Sequence, residues 1–243
     1  MLKAGKTAVG TTGGPASPAD WLADSGFDFI LFDTQHSPVE IKQLQGVVNA
    51  MKGKKAIPVI RVGENNQAQI CYALDVGAKG IIVPMVNTKK EAEDMVKWCK
   101  YPPEGIRSSA GVKGDWPKYD KYRDYMDAVN REVLVIPMIE TIESMNNLDE
   151  ILRVPGIDIL LVGPSDLSIN LGITLEYDNP KYAKALQKIA DACKKHKVIA
   201  GMYFVPPGWD PNRLVDMGFK LFTLPWNGWA TAGVAKGLEA IKR

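Results

Sequence analysis

Short, nearly uninterrupted apolar runs alternate along this chain with longer segments whose apolar residues recur every three or four positions. The runs are Thr7–Thr12, Phe27–Thr34, Ala56–Val62, Gly80–Val86, Val133–Glu140, Asp158–Pro164, Val198–Phe204 and Leu221–Pro225. Runs without polar alternation predict strands buried on both faces, as in a parallel sheet covered by helices. The intervening segments carry helix signals. Ser17-Pro18-Ala19-Asp20 offers a cap, a proline at the first helical position and an acid in the first turn. Ser37-Pro38-Val39-Glu40 and Thr88-Lys89-Lys90-Glu91 both fit a capping box. Gly26, Gly77 and Gly218 stand where left-handed residues close helices. Eight strand–helix units predict an α/β chain folded as a (β/α)8 TIM barrel, one domain over residues 1–243. The glycines of Gly10-Thr11-Thr12-Gly13-Gly14 lack dinucleotide-binding spacing, which argues against an open doubly wound sheet. Tyr101–Lys121 interrupts the alternation with three prolines and three glycines. It reads as a long loop, and such loops commonly serve as lids or interfaces.

Composition narrows the class of protein. The chain has 243 residues, 46% of them hydrophobic, enough for one large core. Its 30 basic residues nearly balance 28 acidic ones, so no global field recruits nucleic acid or an anionic membrane. Cys71, Cys99 and Cys193 are isolated, with neither zinc spacing nor a disulfide framework. No apolar leader or membrane-spanning run is evident, and a cytoplasmic setting is expected.

In a barrel of this kind the chemistry gathers at the carboxyl ends of the strands. Glu140 closes the fifth run, and Asp166 follows the sixth through Gly163-Pro164-Ser165. Each acid alone could be a helix cap. Together on adjacent strands they suit a divalent metal held by oxygen ligands. The second run ends Asp33-Thr34-Gln35-His36 and the third ends at Arg61. His36 is one of two histidines, the other being His196 in a lysine-rich helix end. Its strand-end position beside Arg61 favours a general acid/base role over that of a structural side chain. Arg61 is either an ion-pair partner for Asp33 or a grip on a carboxylate or oxyanion. Asp75 ends a helix, where it faces solvent or reaches across a subunit contact to orient His36. Free amides following Gly163, at Ser165 and Asp166, would hold a small carboxylate. Glu143 reads as a surface or supporting residue. No strand end carries lysine, so a Schiff base lacks its nucleophile. The seventh and eighth ends, Tyr203–Trp209 and Leu224–Trp229, are aromatic and apolar rather than anion-binding.

These segments resemble the HpcH/HpaI aldolase/citrate lyase family, the 4-hydroxy-2-oxoheptanedioate aldolase-like class II pyruvate aldolases. The similar segments are Gly26–Phe29 with Asp33–His36, Leu74–Ala78 with Val83–Val86, Tyr101–Arg107, Ile139–Thr141 and Val162–Leu167. Their order covers nearly the whole chain. The resemblance implies a barrel of the phosphoenolpyruvate/pyruvate type, its eighth helix exchanged between subunits of dimers that build hexamers. It implies Glu140 and Asp166 as ligands of Mg2+, Mn2+ or Co2+, Arg61 on a pyruvate enolate, and His36 with Asp75 for proton transfer. The backbone at Gly163, Ser165 and Asp166 would hold the pyruvate carboxylate. The implied reaction is reversible cleavage of 4-hydroxy-2-oxo acids to pyruvate and an aldehyde. Rival readings are an oxaloacetate decarboxylase or another enolate-forming lyase, including one acting on CoA thioesters, against which the aromatic rim argues. A silent barrel that binds a small acid is the rival of another class. Gln35 stands where the family more often has Glu, and Met138 where some members carry Gln. Ser108-Ser109-Ala110 replaces a commoner glycine, and Trp226-Asn227 a smaller residue followed by Asp.

Overall fold

Each apolar run becomes one strand of a closed, wholly parallel barrel in the computed structural model, which describes residues 2–239. The strands are β1 (Ala8–Gly13), β2 (Phe29–Asp33), β3 (Ile57–Arg61), β4 (Gly80–Val83), β5 (Leu134–Ile139), β6 (Ile159–Val162), β7 (Ile199–Met202) and β8 (Phe219–Leu224). They pair in chain order, and β1 closes on β8 with Ala8 opposite Leu221. The helices between them begin with α1 (Ala19–Leu22), α2 (Gln45–Ala50), α3 (Gln67–Asp75), α4 (Lys89–Cys99) and α5 (Tyr122–Glu132). After β5 come α6 (Ile142–Asn146) and α7 (Leu148–Leu152), then α8 (Pro164–Asn170) and α9 (Pro180–His196). The last two are α10 (Pro211–Met217) and α11 (Trp226–Glu239).

The strands lack polar alternation because both of their faces are covered. Phe29, Leu31, Val59, Ile82, Ile136, Met138, Ile159, Leu161 and Leu221 fill the barrel interior. Their neighbours Ile30, Phe32, Ile60, Ile81, Val135, Leu160 and Phe222 face the helices instead. Glycine makes room where a ring crosses the interior: a Cβ on Gly10 would lie 2.4 Å from the Phe29 ring.

Helix signals are partly realised. Thr88 accepts the Glu91 amide, while the Glu91 carboxylate accepts the amides of Asn87 and Thr88 at 2.7 and 2.9 Å. Gly26, Gly77 and Gly218 all have φ near +110°, as left-handed closures require. The expected helix start at Ser37 is not found. A 3-10 turn begins instead at Ile41, with Glu40 as its cap and Gln43 answering it. Residues 34–36 are drawn aside to β2 and β3: Thr34 Oγ1 donates to the Arg61 carbonyl, and the Gln35 and His36 amides turn to Asp33. Strand β4 stops at Val83, not Val86, because Pro84 cannot donate to the ladder and Met85 turns to φ 53°. Strand β8 starts at Phe219, immediately after the Gly218 cap.

The Tyr101–Lys121 stretch contains no helix or strand. Its second half does not cover the catalytic mouth. Trp116, Pro117 and Tyr119 sit against Phe29, Ile57, Lys79 and Leu134 at the amino-terminal end of the barrel. Aromatic packing draws them there, since Trp116 and Tyr119 both meet the buried Tyr125 ring of α5 with centroids 6.4 Å apart. Among the described residues no helix is long and apolar enough to cross a membrane.

Candidate active site

Asp33 and Arg61 are register partners at the last pair of the β2–β3 ladder, so their side chains leave the sheet together. Arg61 Nε and Nη2 donate to the two Asp33 oxygens at 2.8 and 2.6 Å. Such a fork fixes the guanidinium plane. Nη2 also donates to Tyr203 Oη at 2.9 Å, and the Tyr203 ring lies 4.2 Å from the guanidinium carbon. Among the described residues the remaining nitrogen, Nη1, meets only the Met138 sulfur, at 3.8 Å. It is the part of the fork not committed to an oxygen. Arg61 is buried, 4% exposed. Burial opposes the charge on Asp33, yet the Arg61 hydrogen bonds and charge outweigh it and hold the carboxyl below its ordinary range. Of the two readings of Arg61, the ion pair with Asp33 is formed.

Glu140 lies one residue beyond β5 and is 2% exposed. Its Oε1 accepts the Met85 amide at 2.8 Å, which is what the left-handed turn after β4 accomplishes. Its Oε2 lies over Gly163, where a Cβ would fall only 2.0 Å away. Gly163 is therefore required by space, since any side chain would displace the carboxylate. Burial pushes the Glu140 carboxyl upward, the nearby Asp166 charge adds to the push, and the Met85 amide and Arg61 resist it. Asp166 is half-buried in the first turn of α8, not at the strand end itself. Two like charges, one of them buried, form a donor set that a hard divalent cation satisfies. No third His, Cys, Asp or Glu joins them in a metal-holding cluster among the described residues. The residues thus fit a cation that leaves positions for water and substrate oxygens. The amides of Ser165 and Asp166, in the first turn of α8, have no acceptor within the helix. The Ser165 and Tyr177 hydroxyls lie 3.2 Å apart.

Residues 13–228 match the HpcH/HpaI aldolase/citrate lyase family. The chain belongs to that family. A 4-hydroxy-2-oxo-heptane-1,7-dioate aldolase of Escherichia coli is 34% identical over 189 residues, which are 77% of this chain and 72% of that protein. An HpcH/HpaI aldolase from Desulfitobacterium hafniense DCB-2 superposes with a TM-score of 0.86 at 26% identity, covering 100% of this chain and 95% of that one. The citrate synthase SbnG superposes with a TM-score of 0.82 at 27% identity, covering 98% of this chain and 96% of that one. This HpcH/HpaI protein is a carbon–carbon lyase of the aldolase kind, which sets aside the silent barrel.

The other two expected site residues are not joined within the chain. The His36 side chain is exposed on the loop after β2, while its amide, like that of Gln35, turns to Asp33. Asp75, at the end of α3, accepts from Arg107 Nη2 at 3.1 Å and contacts the Cys71 thiol at 3.8 Å. Glu143 is exposed, as expected. Sequence reasoning passed over Tyr203 and the Met85 amide. Tyr203 was legible by parity, because Ile199, Gly201 and Tyr203 point to one face and Ile199 and Tyr203 pack on the interior cluster. Met85 carried no such signal, since an apolar residue at a strand end does not announce a backbone donor.

Proposed function

We propose that this aldolase reversibly cleaves 4-hydroxy-2-oxo acids to pyruvate and an aldehyde through a pyruvate enolate. The observation that carries the reading is the oriented Arg61 fork in the same barrel mouth as the Glu140–Asp166 pair. The name of the Escherichia coli relative supports the substrate class. A divalent cation, Mg2+, Mn2+ or Co2+, held by Glu140 and Asp166 would supply Lewis acidity to the keto oxygen of the substrate. The Ser165 and Asp166 amides after Gly163 hold its carboxylate. Arg61 Nη1 donates to the oxygen on which enolate charge develops, pre-oriented and largely shielded from water. His36 removes the proton of the 4-hydroxyl as the carbon–carbon bond breaks and returns it in the synthetic direction. Asp75 orients His36 from a neighbouring subunit.

Helix α11 supports assembly. None of its described side chains is buried, and Trp229, Val234 and Leu238 are exposed at 54%, 63% and 43%. We infer that it packs on a second copy, in dimers that build a hexamer. Oxaloacetate decarboxylation passes through the same enolate and is expected as a second activity.

The test is pyruvate release from 4-hydroxy-2-oxo acids before and after dialysis against a chelator. Loss of cleavage, restored by Mg2+, Mn2+ or Co2+, is the expected outcome, accompanied by a metal-dependent rise in melting temperature that Glu140→Gln abolishes. Full activity in metal-free protein, or covalent trapping by borohydride with pyruvate, would overturn the reading.

A further inference from the structure

In the proposed reaction one proton has no carrier. Once the carbon–carbon bond has broken, the enolate must be protonated at C3 before pyruvate leaves. His36 serves the hydroxyl proton, Asp33 is held ionised by Arg61, and Glu140 and Asp166 are assigned to the cation. We propose that the Tyr203 hydroxyl is the acid that protonates C3, and that its phenolate removes the C3 proton in the synthetic direction. This rests on the enolate reading above.

Three observations support it. Tyr203 stands one residue past β7, among the side chains that pack on the barrel interior, and half-buried at its mouth. Its oxygen already accepts from Arg61 Nη2 at 2.9 Å, which places the hydroxyl on the guanidinium assigned to the enolate. Its own O–H is weakly committed. Its acceptor is Asp33 Oδ2, 3.4 Å away, whereas O–H···O bonds usually span about 2.5–3.0 Å. That Asp33 oxygen also accepts from Arg61, at the much shorter distance of 2.6 Å. The donor is thus available to a substrate atom.

The chemistry balances. The phenol O–H bond breaks and a C3–H bond forms from the enolate π electrons, while the enolate oxygen returns to a keto group. The phenolate is left 2.9 Å from Arg61 Nη2, in a charge-assisted hydrogen bond, and regains its proton from water. Burial pushes the phenol up to about 12, against the lowering pull of Arg61, so it holds its proton at neutral pH until the enolate takes it. Sequence alone gave Tyr203 no role beyond an aromatic rim.

The experiment uses Tyr203→Phe, which keeps the ring over Arg61 and removes only the hydroxyl. Metal-loaded protein is incubated with pyruvate in deuterated water, and loss of the methyl signal is followed by proton NMR. Release of aldehyde from a 4-hydroxy-2-oxo acid is measured in a single turnover. Exchange should fall by about 10²-fold or more, as expected when a general acid/base is removed, and by a clearly larger factor than single-turnover aldehyde release. Exchange at the wild-type rate would overturn the proposal. So would an equal fall in both activities, which is what a simple clamp on Arg61 predicts. Wild-type protein that neither exchanges nor cleaves would overturn the enolate reading, and the proposal with it. Should Tyr203→Phe fail to fold, a fluorinated tyrosine at position 203 acidifies the phenol at nearly constant size. It should then move the rise of exchange with pH to lower pH, and an unmoved rise would overturn the proposal.

Discussion

At the scale of single residues, Arg61 serves packing and chemistry at once. Removing one partner of a buried ion pair costs on the order of 3 kcal/mol, because the other charge is left unpaired. Arg61→Lys keeps the charge but loses the fork to Asp33 and the donor to Tyr203. Both kcat and melting temperature should fall, and Asp33→Asn should lower the melting temperature with Arg61 still present. The pH dependence follows from the depressed Asp33 carboxyl. Its stabilisation is present above the unfolded value of about 3.9 and is lost as pH falls through its lower folded value. Acid melting curves of Asp33→Asn should therefore converge with those of the parent protein only well below pH 4, taking that same reference value. His36 makes a separate prediction. His36→Ala should lower aldol cleavage by about 10²–10⁴-fold, while oxaloacetate decarboxylation, which has no hydroxyl proton to remove, should suffer less. An unchanged ratio of the two activities would assign His36 to substrate binding instead.

At the scale of elements, strand parity organises the site. Asp33, Arg61, Glu140, Gly163 and Tyr203 all continue the inward-facing series of their strands, one layer above the apolar plug of the barrel. Register then chooses neighbours. Ile139 pairs with Val162, so the next step along both strands sets Glu140 against Gly163, the residue that can lie beneath it. Helix ends are held by short-range devices that can be tested singly. Thr88→Ala removes the side-chain acceptor for the Glu91 amide at the start of α4. A loss of about 1 kcal/mol is expected. For a chain of this size that is a fall of about 2–4 °C in melting temperature, with activity unchanged. A melting temperature equal to that of the parent would show that the Glu91 carboxylate suffices for this end.

At the scale of the whole molecule, α11 is the element that its own barrel does not complete. Phe27 stacks on Trp229 with ring centroids 6.2 Å apart, yet Val234 and Leu238 remain open. Exposed apolar surface on a terminal helix is costly in water and favours burial against another copy. Val234→Glu combined with Leu238→Glu should reduce the particle mass measured by light scattering to that of smaller species. It should also lower aldol activity if Asp75 acts on His36 across the interface. A monomeric parent protein, or an assembly indifferent to both charges, would remove the subunit-exchange reading.

The sequence by itself determined the barrel, because eight two-sided apolar runs separated by capped helices leave few other ways to bury both strand faces. It also determined the positions of Arg61 and Glu140, since strand ends are countable along the chain, whereas Asp166 lies in the first turn of α8. Which donors and acceptors meet there was decided by tertiary structure. The Asp33–Arg61–Tyr203 contact joins residues 170 apart in number at its widest span, and the Met85–Glu140 bond joins residues 55 apart. Such partners are set by ladder register and by the turn after Pro84, neither of which any local pattern encodes. The same holds for Trp116 and Tyr119, which sequence could place in a loop but not at the amino-terminal end of the barrel. That choice followed from the buried Tyr125 ring on α5, a packing partner that only the closed barrel brings within reach.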